Sequence, residues 1–436
     1  MPYLTVSQFS CIEYLEFETS PVTIIVGPQG SGKSVTTKLF YFFVDILSQH
    51  YEFAERGDSE ELFKKSISKS FVKWFPPSAW GNKRFNITYT AGDFTARILR
   101  RRSGGQLSDE VTVSFSDWFS KQFNRSKREF EAAKKLSLDD DSAYDRSIET
   151  TYRVRDELGA RIAKKLGEDY VSSQVFIPAG RAFFTSLGRF VAGFEGSGHL
   201  DPVTLRFAKL YASLRDRNSI MRLRMRRPLP EDVSNRRDEF QERVFGGVLK
   251  EENEFEFVEA SGGRKIPFTA LSSGQQELLP MWSMLEYFSQ LDVLRSSARG
   301  DRSRSRELIY IEEPEAHLFP SAQSLLMEYI ISSLTSERSN RSVILTTHSP
   351  YIMSKINVFI KAGQLARRKK VNNKINEVVP RECWLESQEV GAYALADGEM
   401  LDILDDDGLI DGSYLDQISE DISRQYSSLL MLESQI

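Results

Sequence analysis

Residues 22–40, "VTIIVGPQGSGKSVTTKLF", decide the fold. Five apolar or β-branched residues in an unbroken run suit a strand buried on both faces, the usual state of a strand in a parallel sheet covered by helices. A glycine-rich turn follows, and then an apolar pattern of helical period that continues to Leu47. Strand, loop and helix in that order give meaning to the match of Gly27 to Ser34 with the pattern G-x-x-x-x-G-K-[ST]. Glycines let the loop curl so that its N–H groups converge on an anion, and the helix N-terminus adds the positive end of its dipole.

Gly27, Pro28, Gln29, Gly30, Ser31, Gly32, Lys33, Ser34 and Val35 are therefore the expected cradle of a nucleotide triphosphate. Lys33 is expected to bridge the β- and γ-phosphates and the Ser34 hydroxyl to ligate Mg²⁺, which makes ATP and Mg²⁺ the expected ligands. A second apolar strand, within "LIYIEEPEAHLFP" (308–320), ends in two carboxylates. Glu312 falls beside the metal shell, and Glu313 where a carboxylate polarises an attacking water.

Four motifs in order resemble those of ABC-type ATPases: the phosphate loop, Ser273-Gly274-Gln275 within "ALSSGQQELLP" (270–280), Glu312 to Leu318, and Thr347-His348-Ser349-Pro350. The soluble branch of OLD-like and Rad50/SMC/RecF-like proteins is most similar, and "EEPEAHLFP" and "TTHSPYIM" point to its OLD-like, AAA15-like group. The resemblance covers residues 1–55 and about 170–355. It implies an α/β fold: a P-loop NTPase, ABC-like ATPase core with a small antiparallel β lobe and helical insertions.

The same resemblance implies that Ser273, Gly274 and Gln275 contact the γ-phosphate of ATP held by the opposite protomer. His348 resembles the switch histidine that senses this phosphate, and Glu315 to Leu318 lie where the family's chain crosses the dimer interface. Catalysis would then rest on Glu313, Lys33 and His348, and metal ligation on Ser34 and Glu312. Most relatives carry aspartate where Glu312 stands. A glutamine that couples magnesium to the lobe has no clean counterpart in "FIPAGRAFF" (176–184), and Gln174 and Arg181 are the candidates.

The rest of the chain sets limits. Its 436 residues, 40% hydrophobic and 27% charged with a formal net charge of −5, fit a large globular domain and exclude a uniformly basic nucleic-acid coat. Two distant cysteines and the lack of a long apolar run favour a reducing cytoplasm, without a membrane span. Residues 1–116 are expected to hold the first part of the core with a β lobe at 84–115. A helical insertion is expected at 117–170 and the rest of the core at 171–355, with a helical segment at 201–250. Residues 356–436 are expected to form a basic-then-acidic C-terminal region, with seven basic residues and one acid at 361–381 and one basic residue and fourteen acids at 382–436.

Asp405 and Asp407 have the spacing of a Toprim nuclease, but no upstream strand ends in glutamate-glycine, and a solvated acidic turn is the better reading. Basic stretches at Arg100–Arg102, Arg215–Arg227 and Arg367–Lys370 are candidates for phosphate contacts. The expected partners are a second copy of the chain, in a dimer or higher oligomer, and a separate nuclease-like effector, with a nucleic acid or phage protein as trigger. The resemblance extends to ATPase components of anti-phage systems such as PARIS and Septu. The alternatives are a RecF- or Rad50-type repair ATPase, a nucleotide-binding scaffold and, last, a transporter subunit.

Overall fold

The apolar run at 22–26 is strand β3 (Val22–Val26), and all five of its residues are buried. Parallel neighbours explain this, with β12 (Arg341–Thr347) on one side and β13 (Val390–Ala396) on the other. Beyond β12 lie β11 (Arg306–Glu312) and then β7 (Val171–Ile177), again parallel. Alternate residues of these strands divide between two cores. Ile24, Val26, Ile309, Ile311, Val343 and Leu345 face one, and Ile25, Leu308, Tyr310 and Ile344 face the other. A period of two thus persists inside runs that read as uniformly apolar.

The computed structural model describes residues 1–103, 105–137, 143–187, 200–216, 228–252, 255–297, 306–334, 340–367, 372–412 and 423–431. The arginine-rich stretch at 217–227, linker residues 298–305 and basic residues 368–370 lie outside the described residues.

On its other flank the sheet is antiparallel. β1 (Tyr3–Phe9) and β2 (Ile12–Glu18) form the expected hairpin, and β4 (Asn86–Ala91), β5 (Phe94–Ser103) and β6 (Gln106–Phe115) extend it outward from β1. The expected β lobe is thus a continuation of the main sheet. β14 (Glu399–Asp402) pairs with β13 and meets β2, which joins the two flanks in the order β6-β5-β4-β1-β2-β14-β13-β3-β12-β11-β7.

This placement differs from the expectation for 356–436. The helix Pro350–Ala366 runs across the expected boundary, and residues 390–402 stand in the middle of the main sheet. Asp397 and Gly398, at φ 52° and 82°, form the two-residue turn between β13 and β14. Asp-Gly is a residue pair suited to the mirror-image turns that match strand twist.

The helix Lys33–Arg56 is buried nearly all round, because the sheet covers one side and the helix Asp117–Ser137 the other. The helix Ala143–Leu166 packs on Asp117–Ser137 in turn, so the expected insertion is a helical hairpin. A helix at Glu60–Trp74, which the sequence reading leaves unassigned, is capped by the Ser59 side chain and buries Phe63, Ile67 and Phe71 at a spacing of four. Within 201–250 the helices Pro202–Arg215 and Glu231–Phe240 form as expected, but residues 247–250 are strand instead. There β8 (Gly247–Glu252) joins β9 (Phe255–Ala260) and β10 (Arg264–Pro267) in a separate antiparallel sheet. Among the described residues no helix is long and apolar enough to cross a membrane.

Candidate active site

The carboxyl ends of β3, β12 and β11 lie side by side, the edge at which open α/β sheets bind ligands. From β3 comes the loop Gly27–Ser34. A Cβ on Gly27 would lie 2.2 Å from the Leu395 carbonyl oxygen of β13, so only glycine lets the loop start against that strand. Pro28, Gln29 and Gly30 form an exposed crest, and Gly30 and Gly32 turn it at φ 77° and 108°. Lys33 folds back beneath, donating from Nζ to the Gly27 and Pro28 carbonyls at 2.8 and 2.9 Å. Burial pushes its ammonium below the usual lysine pKa, and the charges of Glu313, Glu315 and Glu312 oppose that fall. Ser34 is exposed in the first helical turn, while Val35 packs on the core below.

β11 delivers Glu312, only 6% exposed, whose Oε2 accepts the Ala179 N–H at 3.4 Å. Glu313 follows at φ 43°, a left-handed conformation that costs a residue with a Cβ roughly 1–2 kcal/mol. Its Oε1 lies 3.5 Å from Nε2 of His348, which leaves the end of β12. Glu315 fixes that end. Its Oε1 accepts from the Thr347 hydroxyl at 2.7 Å and from the His348 N–H at 2.8 Å. Ser349 then caps the next helix through the Tyr351 N–H and donates its hydroxyl to Gln323 Oε1 at 2.6 Å.

Three buried oxygens at this end have no hydrogen-bond partner: Ser31 Oγ, Glu312 Oε1 and Glu315 Oε2. A buried polar atom left unpaired costs about 1–3 kcal/mol, so each marks a place for a missing partner. A phosphate oxygen can accept from the Ser31 hydroxyl, and a hard divalent cation suits the Glu312 carboxylate with the Ser34 hydroxyl. The residues present therefore fit ATP and Mg²⁺.

The signature segment approaches from the side. Ser273 is exposed at the start of the helix Ser273–Ser297. Gly274 is pressed by the 315–318 segment, since a Cβ there would meet the His317 carbonyl oxygen at 2.5 Å. Gln275 is engaged within its own chain. Its Nε2 donates to the Val244 and Phe245 carbonyls, both at 3.1 Å, at the end of a π-helical turn spanning Gln241–Phe245. Its Oε1 accepts the Ser272 N–H at 3.1 Å. The expected reach of Gln275 to a neighbour's phosphate thus requires these bonds to open.

Gln174 stands away from the end of β11, beside Leu308 rather than Glu312. It lies three residues before the end of β7, where its amide donates to the Tyr41 carbonyl at 2.8 Å and accepts from the Tyr310 hydroxyl at 3.0 Å. Arg181 is fully buried at the site, but its guanidinium is spent on the carbonyl oxygens of Pro178, Glu277, Glu312 and Glu313. Burial pulls its pKa below the usual arginine value. The sequence reading missed Glu277 and the role of Leu395 behind the loop, and it gave Glu315 no anchoring role. For Glu315 a signal existed, since a third carboxylate within four residues of a strand end is one more than the metal and base roles use.

Two other expected features resolve into local structure. Arg100 is 7% exposed, donates to the Ser108 and Gly81 carbonyls at 2.9 and 2.7 Å and stacks over Trp80, so it offers no phosphate contact. Asp405 Oδ1 accepts from the Asp407 and Leu409 N–H groups at 2.9 and 2.8 Å, an acidic turn that caps itself.

Among solved structures, the SMC head domain from Thermotoga maritima is similar at 13% identity and a TM-score of 0.34, covering 92% of this chain and 97% of that one. The SmcHead bound to the C-winged helix domain of ScpA is similar at 14% identity and a TM-score of 0.37, covering 92% and 96%. The recombination mediator RecF with ATPrS, of the RecFOR pathway, is similar at 8% identity and a TM-score of 0.30, covering 92% and 97%. No curated protein matches the sequence. Residues 22–354 match the family described as "AAA domain, putative AbiEii toxin, Type IV TA system". That span runs from the first residue of β3 past His348 and takes in the phosphate loop, the carboxylates of β11 and the signature helix, and the chain belongs to this family.

Proposed function

We propose that the protein is an ABC-type ATPase in which two copies enclose ATP, and that binding and hydrolysis switch its conformation to control a separate effector. The observation that carries this is the convergence of Lys33, the unpartnered Ser31 Oγ and Glu312 Oε1, and the Glu313–His348 pair at the ends of three adjacent parallel strands. Lys33 exchanges the loop carbonyls for phosphate oxygens. Ser34 and Glu312 would hold Mg²⁺, which when bound neutralises charge on the transferring phosphoryl group.

Glu313 is the general base. Its side chain is 42% exposed, so water reaches it, and its left-handed backbone turns the carboxylate out from the strand end. His348 limits the carboxylate's freedom from one side, and Glu315 holds the His348 backbone from below. The exposed Ser273 at a helix N-terminus suits a phosphate presented by a second copy. Phe319 and Tyr351, 77% and 53% exposed beside this site, are apolar surface that such a copy would cover.

The effector assignment follows the resemblance to ATPase components of anti-phage systems. It makes the partner a separate, nuclease-like protein. The test is co-purification from the native operon of wild type and Glu313→Gln, with ATP and Mg²⁺, followed by size and mass measurement. An ATP-dependent dimer of Glu313→Gln carrying a nuclease-like protein is the expected result. A monomer at saturating ATP overturns the sandwich, and turnover that rises on adding duplex DNA moves the assignment to a RecF- or Rad50-type repair ATPase.

A further inference from the structure

We infer that Arg181 is the positioning residue that couples the β11 carboxylates to the signature helix inside a single protomer, an inference that rests on the ATPase reading above. A guanidinium is a rigid, planar fork of five donors, and this one is divided between the end of β11 and the signature helix. NH1 donates to the Glu312 carbonyl at 2.6 Å and to the Pro178 carbonyl at 2.8 Å, and NH2 donates to the Glu313 carbonyl at 3.0 Å. Nε donates to the Glu277 carbonyl at 3.1 Å, one turn into the helix that starts at Ser273.

The link is doubled from the helix side. The Glu277 carboxylate accepts the Arg181 backbone N–H at 2.7 Å and lies 3.8 Å from its Nε, and Thr185 donates its hydroxyl to the Gln276 carbonyl at 2.7 Å. Arg181 is 0% exposed and Glu277 6% exposed. Burial alone does not call for an ion pair there, because replacing both partners of a buried pair by well-packed apolar residues is often neutral, although removing one of them is costly. What an apolar side chain lacks is a hold on backbone. Arg181 grips the peptide carbonyls of both residues that act on metal and water, so a shift of either when ATP binds is passed to the signature helix.

The test reads that transfer before any dimer forms. The background is Ser273→Arg, whose bulk and charge block the sandwich, and the probe is a non-hydrolysable ATP analogue with Mg²⁺. Hydrogen exchange is followed at residues 27–37 and 276–282, with a thermal melt to establish folding. In Ser273→Arg the analogue is expected to protect the loop and to change exchange at 276–282 by about fivefold or more, the lower end of ordinary coupling between sites. Adding Arg181→Lys, which keeps the charge but cannot grip both sets of carbonyls, is expected to leave loop protection and abolish the response at 276–282. A response that survives Arg181→Lys, or one that is absent from Ser273→Arg while its loop is protected, overturns the inference. The second of these outcomes decides even where Arg181→Lys fails to fold. Loss of loop protection in Ser273→Arg itself refutes the ATPase reading instead.

Discussion

Strands β11 and β12 both begin with a buried arginine and end beside carboxylates, and their two ends are built on opposite plans. At the amino ends, Arg341 is buried and donates to Asp292 at 2.6 Å and to Glu307 at 2.8 Å, while Arg295 donates to Glu307 at 2.7 Å. Two carboxylates there meet two guanidiniums, and a third, that of the buried Arg306, is held by Ser342, Thr19 and the Glu168 carbonyl. At the carboxyl ends, Glu312, Glu313 and Glu315 stand near one ammonium, Lys33, and one guanidinium, Arg181, whose N–H groups are spent mainly on carbonyls. A neutralised end can serve as scaffold. Buried atoms without a partner occur at both ends, Asp292 Oδ1 and Arg341 Nη2 at the first and Ser31 Oγ, Glu312 Oε1 and Glu315 Oε2 at the second, but only the second has surplus carboxylate, which suits a cation and a phosphate ligand.

Each end has a mutation that breaks it. Glu313→Gln is expected to lower kcat by about 10²–10⁴-fold, the usual worth of a positioned general base, with ATP affinity retained in a binding titration. Arg341→Met removes one member of a buried ion cluster and is expected to cost about 3–5 kcal/mol in urea unfolding, with ATP affinity unchanged in the folded protein. If Arg341→Met abolishes ATP binding in folded protein, the division between scaffold end and chemical end fails.

A buried carboxylate away from both ends sharpens the comparison through pH. Glu286 is 3% exposed, and burial raises its pKa to about 7, which the Tyr329 hydroxyl and Arg237 partly oppose and Asp238 reinforces. Its folded value lies above the ordinary 4.5, so the protonated form favours the fold. That stability is fully present below about 4.5 and is lost as pH rises through about 7, on the order of 3 kcal/mol across the whole window. His50 works the other way. Burial lowers its pKa to about 4 from 6.5, so its contribution is present above 6.5 and lost as pH falls through about 4. Glu286→Gln is therefore expected to flatten the loss of stability between pH 5 and 8 in a series of urea melts, leaving the acid limb that His50 controls. An unchanged slope would mean that Glu286 is ionised in the fold.

The candidate site was legible in the sequence because its residues stand out by identity at fixed spacing: Lys33 and Ser34 after a buried run, Glu312 and Glu313 at a strand end. β13 was not. "VGAYALA" is a short apolar strand whose small residues let it lie buried between β3 and β14, but the acids around it dominate the composition of that region. The Asp397-Gly398 turn was the available clue. Arg181 was visible as a candidate, but its role was hidden because its acceptors are backbone carbonyls, which every residue has. The coupling of Gln275 to the π-helical turn was hidden for the same reason.

The smallest expected effect comes from charge that belongs to neither end. Arg101 and Glu110 pair at 2.8 Å across β5 and β6, with side chains 55% and 67% exposed. Water screens such a pair, which is worth about 0.2–1 kcal/mol. Arg101→Ala is accordingly expected to shift the urea midpoint by an amount near the error of the method and to leave turnover unchanged. The same variant tests the surface for nucleic acid. A phosphate contact at Arg101 would lower the salt dependence of duplex binding by about one unit of slope, whereas a charge engaged only with Glu110 leaves that slope where it was. A drop in slope would make the β5–β6 edge a third kind of charged region, one that takes a polyanion where the carboxyl ends of β11 and β12 suit a cation.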